Sequence, residues 1–359
     1  MKRICLRCNV TTQDFNLWCQ EKNCPAENAT EVFDSGEWFG PIEIMQPMVA
    51  MRSAIIYQAK RGGKRILLKV ANPGCEEKLR LEAKAFQALA KSRHHPNLPV
   101  LLPADSQGSV DHQPYGWIVT GGQSRYYEVF EHIEGDILRN FLLKNAQPWY
   151  QHAGWIILSI ADTVHYLHKT TGCVHLCLNP DAILVRHDRR GVPRPVLLDL
   201  GTGNLPQDAV RLWNDTYTLP AYTAPELLDP ARKEGVGPAA DVYGLGLLLY
   251  EMLAGRPAYP YHLVNEQVLT QHILAGEFKP TGRIDLKEVP EITEKAIQRQ
   301  PGERYPDVAS FVNSLRPNFP PIPAERRPFQ FNWRTALIVL GALLAISMII
   351  LYGLSLLPR

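Results

Sequence analysis

The period of the apolar positions changes along the chain. Near the front they come in short runs. "MRSAIIYQA" (51–59) and "KRILLKVA" (64–71) flank "KRGGK", which is a hairpin signal, and "YGWIVT" (115–120) and "RYYEVFEHI" (125–133) are again strand-like. Between the pairs, "CEEKLRLEAKAFQALAKS" has Leu79, Ala83, Phe86 and Leu89 at helical spacing. From Leu138 onward the text is mostly helical, in "GWIILSIADTVHYLHKTT", "ADVYGLGLLLYEMLAG", "NEQVLTQHILAG" and "ITEKAIQR". A strand-rich front and a helix-rich back predict an α+β body of two lobes, about 40–132 and 133–316.

The last stretch has no period. Thr335 to Leu357 is 23 residues without a charge. As a helix it would reach roughly 35 Å, enough to cross a bilayer core. Arg326, Arg327 and Arg334 precede it and Arg359 alone follows, a bias that puts the body on the cytoplasmic side. No signal-peptide-like apolar core opens the chain, so the expected topology is a C-terminal anchor. The stretch 317–334 that leads to it is rich in Pro and Arg. It reads as an extended, semi-stiff spacer whose arginines either rest on anionic headgroups or serve only as topology determinants.

Composition narrows the function. Of 359 residues, 45% are apolar and 21% charged, as in a folded chain, and the net charge of +2 argues against a nucleic-acid partner. Four of the seven cysteines fall at Cys5, Cys8, Cys19 and Cys24, within the first 30 residues. Four thiolates satisfy tetrahedral zinc, and a segment this small has little core of its own. Structural zinc in a ribbon-like fold is the expectation. Disulfides are the alternative, disfavoured in the cytoplasm. Cys75, Cys173 and Cys177 are isolated and read as small buried hydrophobes.

The motifs of the middle, in order, make the chain resemble the eukaryotic-type protein kinase family, which includes bacterial Ser/Thr kinases. The resemblance covers about 270 residues and implies the bilobal kinase fold. Lys69 in "ILLKV" resembles the strand lysine that reaches the nucleotide's phosphates, and Glu82 the helix glutamate that pairs with it. Backbone groups from Glu131 to Ile133 would face an adenine. Asp199-Leu200-Gly201 is similar to the metal-binding Asp-Phe-Gly, so ATP with Mg²⁺ is the implied ligand. Ala224-Pro225-Glu226 matches the end of the activation segment. Asp241 matches the acid that holds the catalytic loop, and Arg304 the partner of the glutamate at Glu226.

Three motifs depart from the family. Val49, Met51 and Ala54 stand where three glycines would let the backbone approach phosphate. In "VHLCLNPDAILV" (174–185), His175 is kept, but Leu176 replaces an Arg, Cys177 the catalytic Asp, and Asn179 the Lys that steadies the γ-phosphate. Ala182 replaces the Asn that holds a second metal. A positioned base alone is worth about 10²–10⁴ in rate. The resemblance therefore implies a pseudokinase, a regulatory or scaffolding module for protein partners at a membrane. An active divergent Ser/Thr kinase is the alternative, and a third reading makes the cysteine segment the recruiting element. The nucleotide pocket is either open and weakly ATP-binding, or closed by Met48, Met51 or neighbouring side chains. Thr216, Thr218 and Thr223 lie in the activation segment, where Leu176 offers a phosphate no cation.

Overall fold

A computed structural model of the chain describes residues 2–5, 11, 12, 29–91, 95–104, 113–203, 205, 206, 208, 213, 214, 217–229, 236–261, 264–286, 288–325, 347 and 348. They fall into two units, Met1–Pro321 and Ile322–Arg359.

The first unit opens with an antiparallel sheet of β1 (Lys2–Cys5), β2 (Thr11–Thr12) and β3 (Ala29–Val32), in the order β2-β1-β3. Its inward residues Ile4 and Val32 join the apolar cluster of the sheet that follows, with Phe39, Ile42, Tyr57 and Val129. The cysteine prefix thus shares a core with the front lobe instead of building one.

That second sheet has seven strands: β4 (Trp38–Phe39), β5 (Ile42–Ala50), β6 (Ala54–Arg61), β7 (Lys64–Ala71), β8 (Leu101–Leu102), β9 (Gly116–Thr120) and β10 (Gln123–Glu131). The hairpin in "KRGGK" forms between β6 and β7, with Arg61 opposite Lys64. Gly62 and Gly63 both take positive φ, +55° and +76°, as a two-residue primed turn demands. Strand β5 has no clear alternation in sequence. Its pairing with β6 shifts register on either side of Pro47, a bulge that tolerates the missing N–H. The run from Met51 becomes strand only at Ala54, because Met51 N–H donates to Ala54 O (2.9 Å) and closes a turn. Helix α1 (Glu76–Lys91) carries the predicted stripe inward, and Phe86 meets Phe130 edge-on at 5.1 Å.

The back lobe is helical: α2 (Leu138–Lys144), α3 (Tyr150–Thr171), α4 (Pro238–Ala254), α5 (Glu266–Ala275), α6 (Glu288–Ala296) and α7 (Val308–Leu315). A small sheet of β11 (Asp136–Ile137), β12 (Ile183–His187) and β13 (Pro193–Leu197) lies between its motifs. Helix α4 is apolar almost all round and buried from Ala240 to Leu253, the signature of a helix at the centre of a lobe. This is the α+β, bilobal kinase fold that the motifs imply.

Of the second unit, residues 322–325, 347 and 348 are described. Cys8, Cys19, Cys24, Thr216 and nearly all of 335–357 lie outside the described residues, as does the linker beyond Glu325. Among the described residues no helix is long and apolar enough to cross a membrane, and no cluster of three or more metal-ligating side chains occurs.

Candidate nucleotide cleft and catalytic loop

Strand alternation turns Lys69 of β7 toward α1, and Glu82 projects from the facing side of that helix. Lys69 Nζ donates to both Glu82 oxygens at 2.6 and 2.8 Å and to Asp199 Oδ2 at 2.8 Å. So the three nucleotide-side residues named from sequence meet at one point. A fourth joins them that sequence reasoning missed. Lys78, one turn before Glu82, donates to Asp199 Oδ1 at 3.0 Å and Oδ2 at 2.8 Å. Asp199 Oδ1 also accepts from Gly201 N–H at 2.6 Å, and Leu200 N–H donates to Glu82 Oε1 at 2.8 Å.

Two ammoniums and two carboxylates balance in a space shut to water, since all four residues are no more than 3% exposed. Burial works to lower the Lys69 and Lys78 pKa values, but the Asp199 and Glu82 carboxylates override it and hold both above the usual lysine range. Burial alone would raise Asp199; Lys69 and Lys78 instead hold it well below the carboxylate range. Glu128, opposite Lys69 in β10, adds a fifth buried group. Among the described residues neither of its oxygens has a hydrogen-bond partner, and burial together with Glu82 pushes its pKa well up.

The positions of the missing glycines form a tight turn. Asn72, at the end of β7, donates through Nδ2 to Met51 O (2.9 Å) and Arg52 O (2.8 Å), and its N–H to Ser53 O (2.9 Å). Arg52 at the tip forms an ion pair with Glu266 of α5, across the cleft. Val49, Met51, Ala54 and Leu67 are all buried. In the hinge, Glu131 is exposed and its N–H donates to Val100 O (3.0 Å). Ile133 lines a cleft of about 760 Å³ with His132, Glu134, Phe141 and His187.

The catalytic loop keeps its backbone. Asp241, at the start of α4, accepts from His175 N–H (2.8 Å) and Leu176 N–H (2.6 Å), and pairs with His168 Nε2 (2.7 Å). This grip holds Leu176 at φ +63°, the one non-glycine residue in the left-handed region among those described. His175 is fully buried. Its Nδ1 accepts from Cys177 N–H (3.2 Å), so the neutral ring donates through Nε2 to Asp199 O (2.8 Å), and burial lowers its pKa. A Cβ on Gly201 would fall 1.8 Å from His175 O, so only glycine fits where the two motifs touch.

The side chains around that backbone do other work. Cys177 is 2% exposed, and burial raises its thiol well above the ordinary range against the pull of Lys78. It is a protonated thiol, unsuited to accept a hydroxyl proton. Asn179 donates to Cys177 O (2.8 Å) and Thr218 Oγ1 (3.3 Å) and accepts from Asp181 N–H (2.9 Å). Asp181, also missed, pairs with Arg139 of α2 at 2.7 Å. Ala182 is fully buried and offers no ligand. Leu176 belongs to an apolar cluster with Trp213, Leu219 and Tyr222 of the activation segment. Thr218 and Thr223 are buried, and Thr223 Oγ1 donates to Leu219 O (3.1 Å). At the segment's end Arg304 clasps Glu226 with two 2.8 Å bonds and lies over the Tyr243 ring.

The divalent cation of the family's nucleotide chemistry does not fit these residues. The Asp199 oxygens carry four donor contacts, and the second ligand position is an alanine.

The protein kinase domain model matches residues 64–310. The serine/threonine-protein kinase PkaA of Streptomyces coelicolor is 30% identical over 193 residues, which are 52% of this chain and 33% of that protein. Mouse ribosomal protein S6 kinase alpha-4 is 30% identical over 199 residues, 55% of this chain and 23% of that protein. The chain thus spans a third or less of the length of these relatives. The kinase domain of Mycobacterium tuberculosis PknI superposes with a TM-score of 0.54 at 18% identity, over 80% of this chain and 99% of that domain. The domain match spans most of the chain and includes the Lys69–Glu82 pair, the Asp241 grip and the Glu226–Arg304 clasp, and on that ground this chain belongs to the protein kinase domain family.

Proposed function

We propose that this protein is a membrane-tethered pseudokinase that presents a kinase-shaped surface to protein partners on the cytoplasmic face of a membrane. The observation that carries the reading is the catalytic loop. Asp241 still grips His175 and Leu176, while the base position is a buried, protonated Cys177. The cation position, Asn179, is spent on Cys177 O and Thr218. The pinned turn and the burial of Met51 and Leu67 favour a closed nucleotide pocket. In this reading residues 335–357 are the anchor, and Cys5, Cys8, Cys19 and Cys24 hold a structural zinc that stiffens the prefix.

The test is phosphoryl transfer from γ-labelled ATP to generic protein acceptors with Mg²⁺ or Mn²⁺. It uses the full chain in detergent, beside Asp199→Ala. Transfer no greater than in the variant is expected. Transfer that disappears in the variant would replace this reading with a divergent serine/threonine kinase, the alternative that the intact Lys69–Glu82 pair favours.

A further inference from the structure

An ionised carboxylate has about four lone-pair sites. Those of Asp199 are all engaged: Lys69 on Oδ2, Lys78 on both oxygens, and Gly201 N–H on Oδ1. Lys78 is the member that straddles the carboxylate, at 3.0 and 2.8 Å. That is the place a bound cation takes on an acid of this kind. A Mg²⁺ ion there would need ligand distances of about 2.0–2.1 Å and near-octahedral surroundings rich in water. The Lys78 side chain is 2% exposed and Asp199 3%, so there is no room for the water shell. The ammonium meets the same electrostatic demand with two hydrogen bonds to Asp199 and an ion pair to Glu82 at 3.7 Å.

We propose that Lys78 is the resident cation of this cleft, standing in for the divalent metal, so that Asp199 binds no metal ion and the two lobes close on each other without one. The inference deepens the pseudokinase reading and rests on it. It also explains why Lys69, Glu82 and Asp199 persist together beside a degraded catalytic loop. With Lys78 they form a neutral clasp joining β7, α1 and the loop after β13, and each member is held by the others.

The test is Mn²⁺ binding, read by the loss of free Mn²⁺ signal in electron paramagnetic resonance, on the zinc-loaded full chain with and without ATP. Asp199→Asn is the control for metal bound elsewhere. The wild type is expected to show no Asp199-dependent binding at millimolar metal. Lys78→Met, which keeps the stem and removes the charge, is expected to gain Asp199-dependent Mn²⁺ binding, at least about tenfold tighter than wild type, a difference of about 1.4 kcal/mol. Its Tm should also rise with Mn²⁺ where that of the wild type does not.

Stoichiometric Mn²⁺ on the wild type that is lost in Asp199→Asn overturns the proposal. So does a folded Lys78→Met that gains nothing. Should Lys78→Met fail to fold, Lys78→Gln takes its place; should both fail, the wild-type titration decides alone. The two readings fail separately. Metal on Asp199 without phosphoryl transfer removes the resident-cation assignment and leaves the pseudokinase. Asp199-dependent transfer that needs no divalent ion does the reverse.

Discussion

Replacing Leu176 by the family's arginine tests how the activation segment is held. Leu176 is 4% exposed and shares its cluster with Trp213, Leu219 and Tyr222. Losing the leucine removes about 1.5–3 kcal/mol of burial. The incoming guanidinium finds apolar walls on the segment side, and an unpaired ion there costs several kcal/mol more. The φ of +63° is demanded of leucine, alanine and arginine alike, so its strain cancels in the comparison. Leu176→Arg should therefore lose at least about 4 kcal/mol, a large share of the 5–15 typical of a domain. At about 2–4 °C per kcal/mol for a domain of this size, Tm falls by about 8–16 °C. Leu176→Ala should lose about 2–5 kcal/mol and Leu176→Met less than about 1.5. Urea midpoints with unchanged slopes, read beside limited proteolysis of the segment, measure all three. A Leu176→Arg protein within about 1 kcal/mol of wild type would refute apolar anchoring, because the cavity would then admit a charge at little cost.

Other outcomes follow from the same geometry. Arg304→Met leaves Glu226 buried without its two 2.8 Å donors and should cost about 3–5 kcal/mol in thermal unfolding, while adding Glu226→Gln should return part of that loss. Asn72→Ala frees Met51 O and Arg52 O. At about 1 kcal/mol per bond, amide hydrogen exchange across 49–56 should speed up about thirtyfold, and no change would mean the turn is held some other way. Peptide-resolved alkylation of the native protein at pH 8 should mark half-buried Cys173 well before Cys177, whose raised pKa keeps it protonated; rapid labelling of Cys177 would contradict its burial. Asp241 is held below its usual range by the His168 bond, against burial, so its stabilisation is present above the unfolded pKa of about 3.9 and fades as pH falls through the lower folded value. The stability gap between wild type and Asp241→Asn should shrink below about pH 4, and a gap that stays constant there would refute the assignment.

Lys69, Glu82, Asp199, Asp241, Glu226 and Arg304 were legible because each belongs to a motif whose partner is also in the text. Lys78 and Glu128 were not. A lysine on an amphipathic helix and a glutamate alternating in a strand read as solvated, yet both are buried, since what covers them lies far away in sequence. The loss of the three glycines was visible, but the pinning of their turn depends on Asn72, some twenty residues on. Strand β5 was obscured by Pro47 and its two register shifts. The prefix's place in the front-lobe core rests on two isolated apolar residues, Ile4 and Val32, too few to set a period.

The apolar seat of the activation segment has a physical corollary. A segment latched by ion pairs loosens as salt screens them, with a Debye length of about 8 Å at physiological ionic strength. One seated by Leu176, Trp213 and Leu219 does not, and its hold weakens on cooling instead. The apolar seat around it therefore keeps its form through changes of ionic strength.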